Sequence, residues 1–425
     1  MMHFPKPILL FLFLFLIKQG YAQFSLFFEN KTLRLDYYHG GNAQNEYFVF
    51  DNWKEEPFWG GSTHALIDTL RYGQYFFELI DKESGKVLYS RGYTTLFSEW
   101  QTTNEAQSAD RIFTESVVMP FPKKPAQINL YSRNRKGVFI QKFSTSFNPA
   151  DPYIQKADIH YKSFNVHTPA DPSQALDIVI IPEGYTSADM ELFRQDCKKF
   201  ADELFSYAPY SEYRDKINIW GIEAPSAESG TDIPVKGIWR NTLLDSRMYT
   251  FGIERYLMTS NFKAVRDVAA CAPYDQIYIL VNTPEYGGGA IFNHYAMSVN
   301  SNRSAGKIFI HEFGHSFAGL ADEYYNSEVA YNDMYPLDVE PWEPNITTLV
   351  DFKRKWKGLI ADTIPIPTPN APQYKHLTGA FEGGGYAAKG IYRPQQDCLM
   401  NTFRGNSFCP VCLAAIRRMI EFYTH

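Results

Sequence analysis

The stretch His311-Glu312-Phe313-Gly314-His315-Ser316-Phe317-Ala318-Gly319-Leu320-Ala321-Asp322-Glu323-Tyr324-Tyr325 decides how the rest of the chain is read. Residues four apart share one face of a helix, so His311 and His315 can present two imidazoles to one metal ion. Glu312 projects toward the same place, where it can take a proton from a metal-activated water. The motif falls on a helix expected to start near Ser304, and a strand precedes it.

Two imidazoles leave a catalytic zinc one protein ligand short. The third can be a Glu on a later helix, or a residue reached after a Gly that ends the motif helix and turns the chain back. Gly319 stands four residues after His315, and Asp322 three after Gly319. The Gly-to-ligand step is that of the metzincin pattern, with one residue added before the Gly. Asp322 is the favoured third ligand, Glu323 its nearest rival, and Glu328 and Glu340 the later carboxylates. The bland reading of Asp322 is a helix-capping group or a partner of a ligand. Metzincins also carry a Met in a tight turn beneath the metal, and Met400 in Cys398-Leu399-Met400-Asn401 fits, just before a closing helix.

Outward from this segment the pattern is mixed α/β. Leu176–Ile181, Ile217–Ile222 and Tyr274–Val281 read as buried strands. Thr186 and Ser187 cap a helix to about Tyr207, and a last helix runs from about Pro410 to Tyr423. Ala290–Val299, after three glycines, reads as an edge strand that could pair with an extended substrate. Before Pro149 the chain is β-rich instead. Short aromatic runs such as Tyr75–Ile80, separated by turn residues, suggest a sandwich with no cluster that would make a site.

The 425 residues allow two domains. A net charge of −6 gives no basic footprint, which argues against nucleic acid as a partner. Lys6, an apolar run through Ile17 and Gly20-Tyr21-Ala22 form a cleavable secretory signal. The run is too short to span a bilayer. Export to the periplasm, cell surface or exterior follows, with no transmembrane segment in the mature chain. Five cysteines leave at least one unpaired in a monomer; Cys197 reads as a buried core residue. Cys398, Cys409 and Cys412 admit a disulfide from Cys398 to Cys409 or Cys412, a redox pair, or a metal site that lacks an identifiable fourth ligand. In an exported protein the disulfide is preferred.

The motif from His311 to Tyr325, with Phe381–Tyr386, Cys398-Leu399-Met400 and Phe408-Cys409-Pro410-Val411-Cys412, resembles the IgA peptidase family of bacterial zinc metalloendopeptidases. Asp177–Thr186 and Gly230–Pro234 are similar to that family too. With the signal peptide at 1–22 and the N-terminal all-β sandwich at 23–149 read above, the chain is expected to be an α+β protein, and the resemblance implies a metzincin-like mixed α/β catalytic domain at 150–425. It implies one zinc ion per chain and hydrolysis of peptide bonds in proteins, with host immunoglobulin or glycoprotein among candidate substrates. No pattern supports calcium. Some metzincins place a Tyr two residues after the turn Met; Thr402 stands there, and Tyr324, Tyr325 and His294 are substitutes without a ranking. The rival readings are a surface-binding protein that recognises glycan or host protein through its β domain, and a zinc exopeptidase or amidase. An intact Glu312 argues against a purely structural metal.

Overall fold

Period-two burial builds the first part of the molecule. The computed structural model describes residues 24–325, 335–403, 405 and 407–424, so the expected signal segment 1–22 and the candidate ligand Glu328 lie outside the described residues. The first strands are β1 (Phe28–Gly41), β2 (Glu46–Glu56), β3 (Tyr75–Asp81) and β4 (Val87–Tyr93). They are followed by β5 (Arg111–Pro122), β6 (Ala126–Arg133), β7 (Phe139–Phe147) and β8 (Gln155–Lys156). Two four-stranded sheets result, β5-β1-β2-β8 and β4-β3-β6-β7. Leu33, Leu35 and Tyr37 of β1 meet Phe77 and Leu79 of β3 and Ile128 and Leu130 of β6 in one core, which makes the two sheets a sandwich. A short helix, α1 (Leu96–Trp100), interrupts what the sequence suggested would be β throughout. β8 pairs with β2, so the first sheet reaches past residue 149.

The opposite face of β1 is polar and also buried. Arg34 bonds Asp36, Glu56 at 3.2 Å and Asp267 at 2.8 Å. Tyr274 donates to the other oxygen of Glu56 at 3.0 Å. Asp267 and Tyr274 belong to the second part of the chain, so this network fixes how the sandwich sits against it. Removing Arg34 would leave the buried carboxylates of Asp36 and Glu56 without their ion pair, a cost of several kcal/mol.

The second part is a six-stranded mixed sheet, ordered β13-β14-β12-β10-β11-β9. Its strands are β9 (Lys162–His167), β10 (Leu176–Glu183), β11 (Ile217–Glu223), β12 (Gln276–Val281), β13 (Gly288–Ile291) and β14 (Tyr295–Val299). Helices α2 (Met190–Leu204), α3 (Phe262–Ala269), α4 (Ala305–Ala318) and α5 (Pro410–Thr424) surround it. On β10, Ile178 and Ile180 pack with Phe193 of α2, Phe313 of α4 and Ile416 of α5. Val179 and Ile181 face the other way, toward Val265 of α3 and Phe97 and Trp100 of α1. Both faces are covered, as a largely parallel sheet requires. Thr186 and Asp189 form the capping box before α2, and Cys197 is a buried core residue.

The expected strand Ala290–Val299 is instead a hairpin. β13 and β14 pair antiparallel, with Asn293 at φ +51° in the turn, and the sheet edge is Gly288–Ile291. A final hairpin, β15 (Phe381–Gly384) with β16 (Ala387–Arg393), lies against the segment after α4.

Candidate active site

α4, the loop that leaves it and the turn before α5 converge at one point. His311 and His315 leave the same face of α4, and their Nε2 atoms are 3.1 Å apart. Gly319 ends the helix at φ +63°, a left-handed conformation that costs a glycine little. A Cβ there would also come within 2.8 Å of the Trp342 ring. The turn brings Asp322 back to the helix, where its Oδ1 lies 3.1 Å from His311 Nε2 and 3.4 Å from His315 Nε2.

Carbonyls set the orientation of both rings. His311 Nδ1 donates to the Leu399 carbonyl at 2.9 Å, and His315 Nδ1 to the Leu320 carbonyl at 2.5 Å. A carbonyl can only accept, so each neutral ring carries its proton on Nδ1 and turns a lone pair inward at Nε2. Tyr386 Oη donates to Asp322 Oδ2 at 2.5 Å, while Asp322 Oδ1 is buried and has no hydrogen-bond partner. Three acceptor atoms therefore face one another. Such a set is unfavourable unless positive charge sits among them. Donors about 2.0–2.1 Å from a tetrahedral ion lie roughly 3.3–3.4 Å apart, so the spacing fits a zinc-sized ion. The electrostatics agree. Burial would raise the Asp322 carboxyl, yet His315 and His311 hold it well below its usual range. Burial would lower His315, yet Asp322 and Glu312 push it up to about 9. A proton or a metal ion would each supply the charge these groups call for.

Glu312 is half-buried beside the pair and faces β13, where a Cβ on Gly288 would meet its Oε1 at 2.8 Å. Burial raises its carboxyl above the ordinary value, against the pull of His311 and His315. Met400 is fully buried, and its Sδ is 3.1 Å from where Gly314 would carry a Cβ. The turn around it closes with Asn401 N–H on the Cys398 carbonyl at 2.8 Å. The Leu399 carbonyl receives His311, and the Met400 carbonyl receives Glu323 N–H at 2.7 Å. The turn thus holds the helix and the returning loop together.

These groups open onto a cleft of about 1720 Å³. Gly288–Ile291 of β13 lines one side, Tyr324 and Tyr386 another, and Glu99 and Arg133 of the N-terminal part reach its wall. A family model described as IgA Peptidase M64 matches residues 164–378 and 370–420, a span that includes α4, the returning loop, the last hairpin and most of α5. The chain belongs to this family. It is a peptidase, and a second model, Peptidase M64 N-terminus, matches residues 23–144, the β-rich part. No curated protein matches the chain.

Several sequence expectations for this M64 peptidase change in the structure. Glu323 points away from the histidines, into contact with Cys412 Sγ at 3.2 Å. Glu340 accepts from the Asp351 N–H and is not grouped with the histidines. His294 is buried and stacked on Phe262 at 3.6 Å, outside the cleft lining. Tyr324 and Tyr325 do line the cleft, and Arg255, which the sequence did not single out, donates to Tyr324 Oη at 3.1 Å. The expected disulfide from Cys398 to Cys409 or Cys412 does not form. All five cysteines are free, and Cys398 Sγ and Cys412 Sγ are 3.8 Å apart, against about 2.05 Å for a bond. Tyr386 stood inside the quoted Phe381–Tyr386 motif, but nothing local linked it to Asp322, 64 residues away.

Proposed function

We propose that this M64 peptidase is an exported zinc-dependent endopeptidase with a metzincin-like centre. His311, His315 and Asp322 hold one zinc ion, and Met400 is the Met of the turn beneath. The observation that carries the reading is the set of three inward-facing donor atoms, 3.1–3.4 Å apart, beside Glu312 on an open cleft. Zinc bound there would supply a Lewis acid that polarises a carbonyl and makes water acidic near neutral pH.

The chain's own residues do the rest. Glu312 accepts a proton from the attacking water at its carboxylate and returns it to the leaving amine nitrogen. Tyr386 keeps Asp322 turned so that only Oδ1 faces the histidines. An extended substrate adds to the sheet edge at Gly289–Ile291, beyond the bridge by which Arg255 and Leu257 occupy the backbone of Gly288 beside Glu312. Arg255 and Tyr324, at the cleft wall, are placed to steady negative charge on the carbonyl oxygen, the part left open by Thr402. Glu99 and Arg133 give the N-terminal domain a share in substrate choice.

The test is a digest of a mixed denatured protein substrate, with and without a chelator, followed by mass spectrometry. Internal fragments that vanish with chelation and return with zinc support an endopeptidase. Single residues released from chain ends would make it an exopeptidase, and chelator-insensitive cleavage would end the zinc reading.

A further inference from the structure

Behind the histidine cluster lies a second group of metal-ligand type. Glu323, Cys398, Cys409 and Cys412 are all buried, and one ligand atom from each lies within 4.8 Å of every other. We infer that these four side chains form a closed structural zinc site, separate from the cleft.

The distances favour coordination. Thiolates about 2.3 Å from a tetrahedral zinc ion stand roughly 3.8 Å apart. Cys398 Sγ and Cys412 Sγ are 3.8 Å apart, and Glu323 Oε1 is 3.2 Å from Cys412 Sγ. A disulfide would use two of the three sulfurs and leave the third without a role. A metal ion uses all three. Three sulfurs select zinc over calcium or magnesium, which take oxygen ligands.

Glu323 supplies an independent observation. Its side chain is fully buried, Oε1 accepts from Asn345 Nδ2 at 3.0 Å, and Oε2 has no hydrogen-bond partner. No ion pair reaches it among the described residues. The neighbouring guanidinium of Arg393 donates through Nη1 to the carbonyls of Glu382 and Gly383 and makes no ion pair with Glu323. A carboxylate in such a place needs a cation within reach.

The backbone is arranged to accept thiolates. Cys409 precedes α5, and Cys412 lies in its first turn, where unpaired N–H groups and the helix dipole favour negative sulfur. Cys409 N–H points at Cys398 Sγ at 3.2 Å, and Cys412 N–H at Cys409 Sγ at 3.5 Å. Binding would displace thiol protons to solvent. None of the four residues lines the cleft. Four protein ligands complete a tetrahedron and leave no position for water, which is the form of a structural site. The ion would tie the loop after α4, the turn that carries Met400 and the start of α5 into one unit directly behind the catalytic cluster.

The test uses the purified full chain. Two zinc ions per chain are expected by elemental analysis, and one in the His311→Ala, His315→Ala double variant. Cobalt(II) loaded into metal-free protein should give an intense thiolate-to-metal charge-transfer band, which imidazole and carboxylate ligands cannot produce. The band should survive in the double-histidine variant and fall in Cys412→Ser. If Cys412→Ser does not fold, the first two spectra still decide. One zinc in the wild type, none in the double variant and no charge-transfer band would overturn the site. So would three titratable thiols, instead of five, in unfolded chelated protein, because that count means a disulfide. One zinc that persists in the double variant with the band intact would instead sink the catalytic zinc and leave this site standing.

Discussion

Asp322 and Glu323 are neighbours in the chain, yet they serve clusters of opposite character. The segment is extended: Gly385 N–H bonds the Asp322 carbonyl at 2.8 Å, and Tyr386 N–H the Tyr324 carbonyl at 3.0 Å. Side chains alternate along such a segment, so one carboxylate faces the histidines and the next faces the cysteines. The Asp322 cluster has three donors, nitrogen and oxygen, on a wide cleft with Glu312 beside it. The Glu323 cluster has four donors, three of them sulfur, and no access to the cleft. Three donors and an open side leave room for water and chemistry, and four donors leave none. On the proposed reading, a donor count and a line of access separate a working centre from a staple, even one residue apart.

The sharpest way to break the comparison is Glu312→Ala. Loss of a positioned general base lowers turnover by about 10²–10⁴-fold. Metal content should not change, because Glu312 is not among the three donors. Steady-state hydrolysis of a fluorogenic peptide, with elemental analysis of the same sample, checks both halves. Unchanged turnover would make the cleft cluster as structural as the buried one.

The next test sets the two carboxylates against each other. Asp322→Ala should weaken zinc binding at the histidines by more than the roughly 10–100-fold typical of changes behind a ligand. The thiolate-to-cobalt band should stay. Glu323→Ala should do the reverse, weakening the cysteine cluster and lowering the thermal midpoint while the histidine cluster keeps its affinity within a few-fold. Competition with a coloured chelator reads the first, and the cobalt spectrum the second. Equal losses at both sites from either variant would show one cooperative unit and erase the distinction.

What the sequence disclosed was what is local. His311, Glu312 and His315 declare themselves because helical spacing alone puts them together. Asp322 follows from Gly319, since a glycine just past a helix announces its own turn. Most strands of the catalytic sheet were readable because β10 and β12, buried on both faces, are continuous apolar runs. What stayed hidden depends on distance or on a short break. Glu323 meets Cys412 from 89 residues away, so no spacing rule could name it as the fourth partner. The preference for a disulfide came from the compartment, and compartment does not report sulfur geometry. Ala290–Val299 looked like one strand because the turn at Asn293 has no glycine of its own. His294 looked available for catalysis, but burial against Phe262 removes it and pushes its ring well below the ordinary value. The N-terminal domain offered no chemical cluster, and its part in the cleft comes only from docking.

The smallest expected effect is the finest probe of the open cluster. Tyr386→Phe removes one hydroxyl, the donor to Asp322 Oδ2 at 2.5 Å, and leaves Oδ1 and both histidines in place. Tyr386 already sits at φ +66°, and Phe meets the same backbone cost there, so the turn itself should be unaffected. The ring still packs against Tyr324, whose centroid is 5.5 Å away. The change isolates orientation of the carboxylate from its presence. Partners of this kind are worth roughly tenfold or more in metal affinity or activity. About a tenfold loss of zinc affinity is expected at the histidine cluster, with the cobalt–thiolate band untouched. A loss as large as that of Asp322→Ala would mean that the hydroxyl, and not Gly319 and the backbone, decides where Asp322 points. No loss would mean that the loop, held by the Met400 carbonyl and the last hairpin, positions the carboxylate unaided.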